Sequence, residues 1–151
     1  CAYTQLINFS PDYKVDVWDT AGQEKYHSIS RMYYREAVLA IVMFDVTKKT
    51  TFQQAKKWID ELVANTLGVE IILVGNKTDL LTNQIYYFRD EVSNYARNRD
   101  IVLVDISVKT EQNLEELKSS MKIKLDAANK ATNRQREIRE KNVNYNPDGT
   151  T

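Results

Sequence analysis

The segment Asn76-Lys77-Thr78-Asp79 places polar side chains directly after an apolar run at 71–74. A carboxylate beyond a strand end can accept two hydrogen bonds from neighbouring N–H donors on a planar ligand. Guanine presents such a pair on its N1 and 2-amino edge, whereas adenine does not. The asparagine could serve the opposite edge of the base, and the lysine stem could lie along its face. A turn of the Asx type with no ligand explains the same residues, so the segment alone leaves both interpretations open.

A second segment, Asp19-Thr20-Ala21-Gly22-Gln23, also ends an apolar stretch with a carboxylate. A glycine N–H can approach a phosphate closely because no Cβ stands in the way. Asp19 could hold Mg²⁺ through water, since this ion binds few carboxylates and keeps several of its waters. Gln23 could orient an attacking water molecule. A simple turn at Gly22 accounts for the spacing nearly as well, so this segment alone also leaves both interpretations open.

A third segment, Asp105 to Lys109 (DISVK), ends a further apolar stretch with Ser107 and a lysine. By itself it is typical of a polar strand-to-helix turn. The segment ends the strand after the one that precedes Asp79, and ligands of open parallel sheets bind at the carboxyl ends of the strands. Its position therefore suits a ligand-binding role. The three segments together could therefore form one nucleotide pocket.

The elements that would position these segments alternate between strands and helices. Val- and Ile-rich runs predict strands, spacings of three and four predict helices, and residues 20–36 predict a glycine loop followed by an irregular helix over about 28–36. The run at 38–46 is continuous and apolar, which predicts a strand covered on both faces. The first two strands predict an antiparallel hairpin, and the remainder predicts an α/β sheet with helices on both faces. The predicted strands are 2–9, 13–18, 38–46, 71–74 and 101–106, and the predicted helices are 50–64, 88–97 and a segment from 114 that continues past 130.

The composition of the 151 residues fits one globular domain at 1–130 and a polar tail at 131–151, helical first and then disordered. Lys and Arg number 21 and Asp and Glu number 21, so global charge favours neither nucleic acid nor an anionic membrane. The longest apolar run, 37–44, is too short to span a bilayer. The single cysteine, Cys1, suits a reducing compartment.

The order W-D-T-A-G-Q-E, then N-K-T-D, then S-V-K resembles a Ras-superfamily small GTPase. The segments 26–35, 40–46 and 52–58 are similar to the Rab family, and within it to the early-endosomal branch. The resemblance covers roughly residues 2–128. It implies a P-loop NTPase-like, mostly parallel sheet, and GTP or GDP with Mg²⁺ as cofactors.

The resemblance also implies roles at the matching positions. Asp19 would bind Mg²⁺ through water, Gly22 would donate its N–H to the γ-phosphate and Gln23 would position the attacking water. The guanine would be held by Asn76, Lys77, Asp79, Ser107, Val108 and Lys109, with the Val108 N–H directed at its carbonyl.

Residues 18–36 would be the surface that effectors, an exchange factor and a GTPase-activating protein bind, with Trp18 and Tyr33 among the aromatic contacts. The resemblance implies a location in the cytoplasm, peripherally on endosomal or vesicle membranes, to which a lipid anchor holds members of the family. This sequence has no cysteine near its end that could carry such an anchor. The lone histidine, His27, is interpreted as a surface or packing residue.

One motif of the family does not occur. Four glycines, at 22, 68, 75 and 149, are present, and none belongs to a G-x-x-x-x-G-K-[ST] phosphate loop. We therefore expect the sequence to be N-terminally incomplete, without the first strand, phosphate loop and first helix. As it stands, it is expected to be inactive as a GTP hydrolase and unstable unless another segment supplies the strand.

Two alternatives stay open. A Rab-like domain without a phosphate loop could serve as a non-catalytic scaffold or a subunit of a larger assembly. A flavodoxin-like or response-regulator domain with Asp45 as its acid fits the alternating pattern but not the three motifs.

Overall fold

The computed structural model describes residues 3–19, 35–83 and 85–144, with side chains for 6–17, 35–83 and 85–137. The chain divides into two compact units, residues 1–37 and 38–151, which are described separately.

The first unit contains the predicted antiparallel hairpin. Strand β1 is Tyr3–Ser10 and strand β2 is Tyr13–Asp19. The two-residue turn between them is supported by the Asp12 N–H, which donates to Ser10 Oγ at 3.3 Å. The register is regular from Tyr3↔Asp19 onward and shifts once near the turn.

The second unit is the α/β part of the fold. Its three strands are parallel and lie in the order β3-β4-β5, with helices in the connections. The elements are β3 (Leu39–Asp45), α1 (Lys49–Asn65), β4 (Glu70–Asn76), a 3₁₀ turn (Thr78–Leu80), α2 (Arg89–Asn98), β5 (Val102–Asp105) and α3 (Leu114–Asn144). The predicted α/β class is confirmed, and each predicted strand and helix of this unit lies within a few residues of an observed one.

Helices cover both faces of this sheet. On one face, Leu114, Leu117 and Met121 of α3 pack against a buried cluster of β4, β5 and Ile106. On the other face the rings of Phe44 and Phe52 lie 5.4 Å apart, which joins β3 to α1. The apolar spacing in the sequence therefore produced the expected amphipathic helices.

The prediction that β3 is covered on both faces is wrong. Val42 and Phe44 are buried, but Ile41 is 39% exposed and Met43 is 47% exposed. These two side chains share the face of the sheet on which α3 packs, and α3 contacts β4 more than it contacts β3. A continuous apolar run cannot distinguish a strand in the middle of a sheet from one at its edge.

Helix α3 continues through the segment predicted as a helical tail and ends at Asn144. Residues 145–151 lie outside the described part. Of the helices that the structure describes, none has the length and apolar character needed to cross a membrane.

Candidate functional site

The carboxyl ends of β4 and β5 bring the polar segments at 76–79 and 105–109 together. The strands pair up to Gly75↔Asp105, and the Ile106 N–H then donates to the Gly75 carbonyl at 2.7 Å. The Thr78 N–H returns a bond to the Ile106 carbonyl at 3.2 Å. Because the carboxyl ends of parallel strands lie at the same edge of the sheet, the segments at 76–79 and 107–109 are neighbours.

Asp79 is oriented by Ser107. Ser107 is fully buried, and its hydroxyl donates to Asp79 Oδ1 at 2.6 Å while accepting the Thr110 N–H at 3.2 Å. Asp79 is half-buried, and within the described ranges its Oδ2 has no hydrogen-bond donor. The carboxylate is thus held by one oxygen and presents the other.

Asn76 is oriented in the same way by two backbone donors. Its Oδ1 accepts the Lys77 N–H at 2.8 Å and the Val108 N–H at 3.1 Å. Because the oxygen faces these donors, the amide nitrogen is the end that can donate to a ligand. The Val108 N–H is already engaged, so a base carbonyl would have to share it with Asn76.

Lys77 is held at both ends. Its backbone is left-handed, with φ at 72°, and its Nζ lies 2.8 Å from Asp45 Oδ2. The Asp45 side chain is 10% exposed, against 50% for the lysine. Burial raises the pKa of the Asp45 carboxyl, but hydrogen bonds from Lys77 and Thr47 outweigh it and hold that pKa at about 2.

Two residues beyond the motifs also shape this edge. The Gln112 carbonyl accepts the Ser107 N–H at 3.2 Å, and its side-chain Oε1 accepts the Thr78 hydroxyl at 3.1 Å. Asn113 donates to the Asp105 carbonyl at 2.8 Å. No pattern in the sequence pointed to Gln112, because its partner Thr78 is 34 residues away.

Two polar side chains, those of Tyr86 and Arg89, hold Asp105 at the carboxyl end of β5. Asp105 accepts the Tyr86 hydroxyl at 3.2 Å and the Arg89 Nε–H at 3.0 Å. Burial, and then the nearby Asp105 carboxylate, raise the pKa of Tyr86. Gly75 faces this cluster, since a Cβ there would collide with Asp105 Oδ1. The carboxyl end of β5, which Ser107 follows, is therefore held by Tyr86 and Arg89 and packs closely against Gly75 of β4.

For the predicted site residues at 18–33 the structure describes no side chain. Gly22, Gln23, His27 and Tyr33 lie outside the described residues, as do the side chains of Trp18 and Asp19. The Asp19 backbone ends β2. Lys109 is exposed in the turn after Ser107. Among the described residues no group of His, Cys, Asp and Glu is arranged to hold a metal ion.

The polar atoms left available at this edge match guanine. Asp79 Oδ2 can accept from a donor edge, and the Asn76 amide nitrogen can donate to an acceptor edge. Guanine carries N–H donors on its Watson–Crick edge and the N7 acceptor on the other side. Adenine lacks the donor pair, so it would leave the carboxylate unpaired.

This chain is similar to one protein-family model and to the three known proteins described here. The Ras family model matches residues 3–126. The Ras-related proteins RABF2b and RABF2a of Arabidopsis thaliana are 43% and 41% identical over 105 residues, which is 69% of this chain and 52% of each relative. The GTP-binding protein ypt5 of Schizosaccharomyces pombe is 35% identical over 154 residues, covering 97% of this chain and 73% of the relative. The chain spans about half the length of the two plant relatives it matches.

Proposed function

Since this chain belongs to the Ras family of small GTPases and resembles its Rab members, we propose that it recognises guanine nucleotide as part of a switch in vesicle and endosomal traffic. The bond from the Ser107 hydroxyl to Asp79 carries this proposal. It orients a carboxylate at a strand end and leaves one oxygen available for a donor edge. A simple polar turn does not require a fully buried serine to hold its acid.

Base recognition follows from the orientation of the side chains. Asp79 accepts the N1 and 2-amino hydrogens of guanine, and Asn76 donates to N7. The stem of Lys77 forms a wall along the ring, and Val108 shares its N–H with the base carbonyl. A base without the donor pair leaves the carboxylate unpaired, at a cost of about 2–5 kcal/mol.

The phosphate end is assigned to the segment after β2. We propose that Gly22 donates its N–H to the γ-phosphate, that Gln23 positions a water molecule, and that Asp19 holds Mg²⁺ through water. When bound, Mg²⁺ neutralises charge that develops on the phosphates. GTP hydrolysis is the proposed family activity of these residues. No phosphate-loop motif occurs in the sequence, so this chain is expected to hold the phosphates weakly.

The biological setting is proposed from the resemblance of residues 26–35, 40–46 and 52–58 to early-endosomal Rabs. Effectors, an exchange factor and a GTPase-activating protein are proposed to bind residues 18–36. The proposed location is cytoplasmic and peripheral on endosomal or vesicle membranes.

The decisive experiment is an NMR titration of the 151-residue chain with guanosine and, separately, adenosine. A site that binds only the base should give a dissociation constant that is roughly millimolar, because few ligand atoms are engaged. Asp79→Ala should abolish the preference for guanosine, whereas the surface control Asp90→Ala should keep it. Equal binding of adenosine and guanosine to the unmodified chain would refute base recognition.

A second function, as a non-catalytic subunit of a larger assembly, is favoured by the outer side of β3. In the described residues this strand pairs only with β4, and it exposes Ile41 and Met43. Unpaired apolar edges readily accept another strand. If this is their role, replacing both residues by Lys should abolish a stable complex and leave guanosine binding unchanged.

A further inference from the structure

Asp45, at the carboxyl end of β3, is a buried acid that none of the three recognition motifs contains. Its Oδ1 accepts both the N–H and the hydroxyl of Thr47, at 2.9 and 2.6 Å. Its backbone N–H donates to Thr51 Oγ1 at 2.9 Å. Local bonds from two threonines therefore fix this acid independently of any other strand.

The remaining oxygen of Asp45 reaches across to the next strand. Asp45 is paired with Asn76 in the register of β3 and β4, and its Oδ2 accepts the Lys77 ammonium at 2.8 Å. The two partners differ in exposure, with the acid at 10% and the lysine at 50%. A free lysine side chain has large rotamer entropy, so the main effect of this ion pair is to fix Lys77.

We propose that Asp45 is a positioning residue for guanine recognition, which holds the stem of Lys77 where it forms the wall beside the base. This inference rests on the proposed function. The left-handed backbone conformation of Lys77 sets the direction in which its side chain leaves the chain, and the ion pair with Asp45 fixes the position of its ammonium group. The low pKa of Asp45 agrees with a carboxylate that stays charged at neutral pH.

The charge of Asp45 provides a way to separate positioning from electrostatics. If Asp45 acts by placing the lysine stem, its loss lowers the affinity for a neutral ligand and for a phosphorylated ligand by a similar factor. If it acts only through its negative charge, its removal strengthens binding of the anionic ligand and leaves the neutral one unchanged. Guanosine and GDP are the matched pair of probes.

The test compares Asp45→Asn, Lys77→Met and the double variant by protein-observed NMR with guanosine and with GDP. Each single variant is expected to weaken binding of both ligands about fivefold to tenfold, and the double variant should add little, because both changes remove one interaction. Lys118→Met, which removes an exposed ion pair with Glu115 on α3, is the control and is expected to change binding less than about threefold. In Asp45→Asn, relaxation of the Lys77 ε-methylene should report faster side-chain motion than in the unmodified chain.

The outcomes separate this inference from the proposed function. Guanosine binding that survives Asp45→Asn unchanged, or GDP binding that tightens while guanosine binding is unchanged, overturns the positioning role alone. No selective guanosine binding by the unmodified chain overturns both. Should Asp45→Asn fail to fold in a thermal melt, Lys77→Met decides, because its site is half-exposed; unchanged guanosine binding by that variant overturns the inference.

Discussion

At the carboxyl edge of the parallel sheet, Ser107 orients Asp79 and two backbone N–H groups orient Asn76. Each of these side chains keeps one polar atom directed away from its protein partners. The carboxyl edge therefore offers a ligand a fixed acceptor beside a fixed donor.

At the amino edge of the same sheet, a cleft of about 340 Å³ lies between the ends of the helices and strands. Its walls are mainly apolar, and Lys124 and Glu70 in its lining pair with each other at 2.8 Å. Arg99, also in the lining, bonds to Asp60 at 2.7 Å. Three of the four charged side chains in the lining, those of Glu70, Arg99 and Lys124, are thus paired within the protein.

The difference between the edges shows that volume alone does not define a recognition site. Side chains whose partners fix them while leaving a donor or acceptor unused can select a ligand by the cost of a mismatch. At the amino edge the fixed charged groups are held by ion pairs between side chains, whereas Asp79 and Asn76 are held by a buried hydroxyl and by backbone N–H groups.

The largest expected effect comes from a matched pair of glycines, one at each edge. At Gly75 a methyl group would collide with Asp105 Oδ1 and lie 2.9 Å from Val46 Cγ1, so Gly75→Ala should destabilise the fold by about 3 kcal/mol. At Gly68 there is space, but φ is 70°, so Gly68→Ala should cost about 1 kcal/mol from backbone strain alone. Urea denaturation measures both values. Equal losses for the two variants would contradict the tighter construction of the carboxyl edge.

The ion pair between Asp45 and Lys77 makes the stability of the carboxyl edge depend on pH. The folded pKa of Asp45 is about 2, below its ordinary value of 3.8, so its charged form is stabilised by folding. That stability is fully present above about pH 5 and is lost as the pH falls from about 4 to 2, with an upper limit of about 2 kcal/mol. The half-exposed Lys77 is screened by solvent, which places the expected loss nearer 1 kcal/mol.

Urea denaturation between about pH 5 and pH 2.5 checks this in the unmodified chain and in Asp45→Asn. The difference in unfolding free energy between the two proteins should shrink as the pH falls. A difference that stays constant over this range would exclude an Asp45 contribution of this kind.

The smallest effect is expected from Lys124→Met at the amino edge. The variant keeps most of the side-chain volume and removes the bond to Glu70, so stability should fall by at most about 1 kcal/mol. Guanosine binding should not change, in contrast to Lys77→Met at the other edge. A loss of guanosine affinity in Lys124→Met would show that the amino edge contributes to recognition after all.

Much of the fold was predictable because its signals are local. The spacing of Phe52, Ala55, Ile59 and Leu62 matches the buried stripe of α1, and the apolar runs before Asn76 and Ser107 became β4 and β5. These patterns depend only on the period of each element and on burial. The same logic predicts that the motifs at 76–79 and 107–109 lie at one edge of the sheet.

The side-chain partners at that edge could not be predicted in the same way. Asp45 and Lys77 are 32 residues apart, and Thr78 and Gln112 are 34 apart, so their contacts depend on strand register and loop path. The exposure of Ile41 and Met43 likewise depends on where α3 crosses the sheet. The predictions for Gly22 and Gln23 remain predictions.

Helix α3 has a consequence for how the protein should melt. It is 31 residues long, but its residues 129–137 are all exposed, so the outer part gains no stability from the core. Solitary helical segments of this length and composition are marginal in water because nucleation is costly and each residue adds little. Far-UV circular dichroism should therefore lose ellipticity gradually on warming, well before the buried aromatic rings report a cooperative transition. The two signals would thus measure two different free energies in one polypeptide.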